Sequence, residues 1–222
     1  MNAQHEFSDE ERDTIYGLIA LRRDTRHFQR GAQVQEAVLE RLLRAAHQAP
    51  SVGLMEPWRF IRVRDLSLRA RILALVEAER GATAQALGER AAEFLRLKVE
   101  GLRECAELLA VVLAPDDGTV FGRRSMPREM ALCSAACAVQ NLWLAARAEN
   151  LGLGWVSMFD PASLGELLRL PPGGMPIGLL CLGPVDQFYE RRMLEEEGWR
   201  NARLTDDPGA DLCCDDYWKP AP

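Results

Sequence analysis

What this sequence lacks narrows it first. The 222 residues include only three histidines, His5, His27 and His47, and no Cys-x-x-Cys pair among six cysteines. No histidine stands at ligand spacing from a cysteine, so no metal site is expected. Positive charge is in short supply: 27 basic residues face 33 acidic ones, for a formal net charge of −6. Such a chain is not expected to bind nucleic acid, which needs a basic face. Long apolar runs are missing too. The stretch from Ala131 to Ala146 is uncharged but carries Ser134, Gln140 and Asn141, so no membrane span is expected. Asp9, Glu10, Glu11 and Arg12 interrupt the N-terminal region early. No signal peptide is therefore read, and a cytoplasmic setting with reduced thiols is expected. The phosphate and nucleophile motifs of common enzyme folds are also absent. Gly152-Leu153-Gly154 lacks the third glycine of a dinucleotide loop and precedes a strand rather than following one. There is no Walker loop and no Gly-x-Ser-x-Gly elbow.

Hydrophobic residues make up 48% of the chain, enough for a large core without disulfides or metals. Ser8 and Glu11 form a capping box that opens a helix over 8–23, with Ile15, Leu18 and Ile19 as its apolar stripe. A second helix is read over 35–48 and ends at Ala49-Pro50-Ser51-Val52-Gly53. Trp58 to Val63 suggests a strand. Residues 66–101 suggest two helices parted at Gly81 or Gly88, and Leu108 to Ala114 a buried strand. A long helix over 128–150 is apolar nearly all round, so it is expected to be buried on most sides or to lie in an oligomer interface. Gly152 and Gly154 are read as its end, followed by a strand over Trp155–Met158. Asp160-Pro161 caps a short helix reaching about Leu170, Ile177–Leu182 is a further strand, and 186–222 reads as an irregular tail. Strands mixed with long helices indicate an α/β or α+β domain.

Four clusters stand out. Arg22-Arg23-Asp24-Thr25-Arg26 offers forked donors for a phosphate; as spacing alone, a solvated helix end is the better account. The loop Ala49 to Trp58 exposes Ser51 between a helix and a strand; on its own it is an ordinary turn. Gly152 to Ser157 delivers a hydroxyl to a strand end, and Lys98-Val99-Glu100-Gly101 sits on a polar segment. Each taken alone has a structural explanation.

Taken together and in this order, the clusters resemble the FMN-dependent nitroreductase-like family, and within it the branch of 5,6-dimethylbenzimidazole synthases. The matching segments include Arg22–Arg26, His47–Gly53, Lys98–Gly101, Cys137–Glu149, Gly154–Ser157 and Gly198-Trp199-Arg200. Asp24, where serine is common in the wider family, and Gly154-Trp155-Val156-Ser157 mark the synthase branch. Glu56, Ala131 and Cys133 depart from the family pattern. The resemblance implies an α+β fold: a nitroreductase-like α/β sandwich, its mainly antiparallel sheet surrounded by helices, with a long buried central helix. It implies one domain over 1–222, a helical lid at 77–101, an extended tail at 186–222, and a homodimer with flavin at the subunit interface. The implied activity is oxygen-dependent fragmentation of reduced FMN to 5,6-dimethylbenzimidazole, the lower ligand of cobalamin, and erythrose 4-phosphate. Reduced FMN is then a substrate supplied by an external flavin reductase, and molecular oxygen is the co-substrate. By the same resemblance Asp24 and Ser157 are catalytic, and Arg22, Arg23, Asp24, Thr25, Arg26, Ser51, Val99 and Ser157 contact flavin. An NAD(P)H-dependent nitroreductase or flavin reductase, and a non-catalytic flavin-binding protein, are the alternatives.

Overall fold

The computed structural model describes residues 6–118 and 127–202. Helix α1 (Asp9–Leu21) opens at the expected capping box, with Glu11 N–H donating to Ser8 Oγ and Ser8 N–H to the Glu11 carboxylate. Its apolar stripe does not enter the core: Ile15 and Ile19 stay exposed and no residue of α1 is buried. Helix α2 (Glu36–His47) buries Leu39, Leu42 and Ala46 on one face. Strand β1 (Trp58–Arg62) follows, then α3 (Leu66–Ala86). The break before α4 (Ala91–Arg96) falls at Gly88, whose φ is +56°; Gly81 remains inside α3. After β2 (Glu107–Leu113) come α5 (Pro127–Ala148), β3 (Gly152–Val156), α6 (Pro161–Leu167), β4 (Met175–Gly183) and α7 (Met193–Glu196). Asp160 caps α6 by accepting from Ser163 N–H, and the helix ends earlier than expected, before Arg169 at φ +53°. The expected irregular tail thus contains one helical turn, α7; its remainder from 203, with Cys213 and Cys214, lies outside the described residues.

The strands form one sheet in the order β1-β2-β4-β3, every neighbouring pair antiparallel. Helices cover both faces. Leu108, Ala110, Leu179 and Cys181 pack with Ile72 and Val76 of α3 and Leu164 of α6. Leu109, Val111, Leu180 and Leu182 pack with Leu39 and Leu42 of α2 and Val139 and Leu142 of α5. Central strands buried on both sides carry apolar residues at every position, which is why β2 and β4 read as continuous runs.

One expectation at the end of α5 needs correction. Gly152 and Gly154 do not terminate the helix; Asn150 at φ +56° turns the chain and both glycines lie inside β3. They are glycines because residues 24–26 run along this sheet edge. A Cβ on Gly154 would stand 2.0 Å from the Thr25 carbonyl oxygen, and one on Gly152 2.8 Å from Thr25 Cγ2. Helix α5, apolar nearly all round, packs one side against the core of its own chain and leaves the other for the expected oligomer interface. Ala135, Ala138, Val139, Leu142 and Ala146 face the core, whereas Cys133, Ala136, Cys137 and Gln140 are exposed. No helix among the described residues is long and apolar enough to cross a membrane.

Candidate active site

The site begins where α1 gives way to an extended strand edge. Asp24 bridges Leu153 of β3 in parallel, and Thr25 N–H donates to the Leu153 carbonyl at 3.0 Å. Asp24 Oδ1 accepts from Trp155 N–H at 3.0 Å, while Oδ2 pairs with Arg26 Nη2 at 2.6 Å. The same Nη2 donates to the Trp155 carbonyl at 2.8 Å. Asp24 is therefore fixed to β3 by a closed ring of bonds through Arg26. Burial pushes its carboxyl above the usual aspartate range, and Arg26 and the Trp155 N–H offset this only in part. A carboxyl of raised pKa can take up a proton more readily than an ordinary aspartate.

The arginines of the cluster separate into different roles. The Arg22 guanidinium lies over the Trp143 ring, 4.7 Å from its centroid, and Trp143 Nε1–H donates to the Arg23 carbonyl at 3.2 Å. Arg23 donates to the carbonyls of Ala20, Arg22 and Glu190, at 2.6, 2.9 and 3.1 Å, and so ties the end of α1 to the C-terminal segment. Thr25 is buried against Gly152, and Arg26 is turned beneath Asp24 with Nε and Nη1 unpartnered. In this arrangement Thr25 and Arg26 support the site from below rather than lining it.

Arg22, Arg23 and Asp24 open onto a cavity of about 360 Å³ whose opposite wall is α7 with its N-cap Arg192, including Glu195, and the residues after it, including Arg200. Reading of the sequence missed Arg192 and Glu195 because this region looked like an irregular tail; Arg200 appeared only as part of a matching segment. Burial lowers the Arg22 guanidinium pKa, Asp24 opposes this, and Arg23 and Arg192 lower it further. Glu195 accepts from Ala202 N–H at 2.8 Å and Arg192 Nη1 at 3.3 Å, and its carboxyl is held below the usual range. A crowd of cations around an open cavity is a site that an anion would stabilise, and planar guanidinium groups suit a phosphate.

The other expected residues take three positions. Ser157 lies exposed just past the end of β3, two residues beyond the Trp155 N–H that holds Asp24, about 7 Å along the strand. Val99 packs with Met158 and Trp199 in one apolar cluster, so the 77–101 segment approaches the same end of β3. Ser51 is elsewhere. Its loop docks on the first half of α5, where Val52 N–H donates to Ser134 Oγ, and Ser51 Oγ accepts from Glu56 N–H at 3.1 Å. Ser134 and Trp143 are nine residues apart on α5, about 13 Å of helix. One copy of the chain does not bring Ser51 beside the arginine cavity.

Known proteins share both the sequence and this architecture. A 5,6-dimethylbenzimidazole synthase of Rhodobacter capsulatus is 41% identical over 197 residues, covering 87% of this chain and 94% of that protein. One of Rhodospirillum rubrum is 40% identical over 195 residues, covering 86% and 92%. A BluB-like flavoprotein from Clostridium difficile superposes with a TM-score of 0.68 at 16% identity, covering 92% of this chain and 99% of that one. The Nitroreductase family profile matches residues 19–184. With that match spanning most of the chain and the sheet, helices and arginine-bearing edge in place, the chain belongs to the nitroreductase family.

Proposed function

We propose that this chain is a 5,6-dimethylbenzimidazole synthase, an enzyme that fragments reduced FMN with molecular oxygen. The observation that carries the reading is the pairing of about 40% identity to two such synthases with Asp24 fixed at the mouth of an arginine-lined cavity. The cavity suits the group: its cations outnumber its carboxylates, and Arg22 is destabilised by burial and by its cationic neighbours. Arg22, Arg192 and Arg200 would hold the phosphate of FMN, with Arg23 fixing the end of α1 against the C-terminal segment. Bound reduced FMN supplies the ring that becomes the benzimidazole and the electrons that oxygen takes up. Asp24 would accept a proton from the ribityl side, its Oδ1 and Oδ2 oriented by Trp155 N–H and Arg26. Ser157 would donate a hydrogen bond to the ring region, and Val99 would close over it, excluding water.

The active unit is a homodimer in this reading. Ser51 does not line the arginine cavity of its own chain, and a second copy on the exposed Cys133–Gln140 face would bring its own Ser51 towards that cavity. An external flavin reductase would supply reduced FMN in the cytoplasm.

The test is product analysis. Chemically reduced FMN, protein and air should give 5,6-dimethylbenzimidazole by chromatography with mass detection, and Asp24→Asn should not. Return of oxidised FMN alone, with NADH bleaching the bound flavin directly, would instead identify a conventional reductase.

A further inference from the structure

The segment after α7 faces two ways. Gly198, at φ +69°, closes the helix: its N–H donates to the Glu195 carbonyl at 3.1 Å, and Trp199 N–H donates to the Leu194 carbonyl at 2.9 Å. This is the paired-bond helix stop that glycine permits. It fixes two consecutive side chains on different partners. Arg200 lines the cavity with Arg22 and Arg23. Trp199 packs the other way, into the apolar cluster of Ala84, Phe94 and Leu97 at the α3–α4 junction, which also holds Val99. The Arg90 guanidinium lies 3.8 Å from the Trp199 ring centroid and donates to the Trp199 carbonyl at 3.5 Å; Phe94 meets the same ring at 5.9 Å. Arg90 is aimed by Glu93, which accepts at 3.0 Å from its Nε.

We infer that Trp199 and Arg90 are positioning residues: they latch the 77–101 segment to the turn that presents Arg200, so that occupation of the anion cavity and closure of that segment are one event. The geometry of the turn couples the two. Only the Trp199–Arg200 peptide separates the latch from the cavity, and the helix stop leaves that peptide little freedom. An anion that settles Arg200 also settles Trp199, and a settled Trp199 gives α4 its aromatic and cationic contacts. Neither Arg90 nor Trp199 lines the cavity, so both act through Arg200. The inference builds on the reading of that cavity as the phosphate site of reduced FMN.

Two measurements on the full-length protein test it. In the first, hydrogen exchange of residues 77–101 is followed with and without inorganic phosphate. Phosphate should slow exchange in the wild type and fail to do so in Arg90→Gln and in Arg200→Gln. No slowing in the wild type would overturn the latch, whether or not the protein turns over FMN; slowing that persists in Arg90→Gln would overturn it too. In the second, FMN affinity is measured by quenching of flavin fluorescence. A cation over an indole ring is worth enough that Arg90→Gln should weaken binding about five-fold. Arg90→Lys, which keeps the cation, should stay within about two-fold of wild type on the same basis. In an Arg200→Gln background the Arg90→Gln effect should vanish, because its route is gone. An effect that stays additive, or equal losses in Gln and Lys, would show Arg90 to be merely structural. Absence of FMN binding in the wild type would refute the functional reading and leave the phosphate exchange result to decide the latch.

Discussion

Gly154→Ala offers the sharpest check on how the site is assembled. The new methyl would lie 2.0 Å from the Thr25 carbonyl oxygen, which is backbone and cannot rotate aside. The two strands must part by about 1 Å before that contact reaches even 3.0 Å. Parting them loosens the Thr25 N–H to Leu153 bond and the Trp155 N–H to Asp24 bond, and leaves Arg26, already short of partners, more exposed to an unpaired state. One ordinary hydrogen bond at about 1 kcal/mol, one charge-assisted bond at about 2 kcal/mol, and some strain give a loss of roughly 4 kcal/mol. For a chain of this size that corresponds to a fall in Tm of roughly 10 °C. Two controls isolate the cause. At Gly152 the close atoms are Val185 Cγ1 and Thr25 Cγ2 and Cβ, side-chain atoms of stiff β-branched residues but not backbone, so Gly152→Ala should cost less than Gly154→Ala, about 1–3 kcal/mol. At Gly81, inside α3, nothing lies within 4 Å, and alanine should stabilise by about 0.5–1 kcal/mol. Urea unfolding of the three variants, with FMN titration beside it, reads the series. If Gly154→Ala proves no worse than Gly152→Ala and binds FMN normally, the close approach of residues 24–26 to β3 is not what builds the site.

Other expectations follow from single groups. Asp24→Asn should keep FMN within a few-fold in affinity but lower product formation by about 10²–10⁴, the usual range for a general base. Because burial raises the Asp24 pKa, the ionised base is lost as pH falls through that raised value; the acid limb of kcat/KM should therefore lie above the ordinary aspartate value of about 3.9. A limb at or below that value would remove the base assignment. Arg62 donates to both Glu107 oxygens at 2.7 Å and to Glu36 at 2.8 Å. Arg62→Met, which leaves the half-buried Glu107 unpaired, should lower stability by about 2 kcal/mol in urea unfolding without altering FMN affinity. On the exposed face of α5, Cys137→Glu should yield a monomer by analytical ultracentrifugation and lose flavin binding with it; a dimer that still binds flavin would place the subunit contact elsewhere.

Much of the fold is legible in the sequence, because it rests on local and periodic physics. The capping box at Ser8 and Glu11, the Asp160-Pro161 start of α6, and the apolar runs of β2 and β4 each announce themselves over a few residues. The resemblance supplied the antiparallel sandwich, and it alone turned the arginine cluster, which by spacing reads as a solvated helix end, into an expected phosphate site. Tertiary structure alone decided the rest. Gly152 and Gly154 look like a helix stop in sequence; only the approach of Thr25 explains why they belong to a strand. Five residues that look equivalent along Arg22–Arg26 divide by which way each faces the sheet edge: Arg22 and Asp24 open to the cavity, Arg23 engages carbonyls, and Thr25 and Arg26 are buried beneath them. The partners that complete the cavity, Arg192, Glu195 and Arg200, lie about 170 residues further along the chain. Sequence pattern reports which residues a helix or strand will bury. It does not report which distant loop a guanidinium will face, since that is set by packing across the whole core.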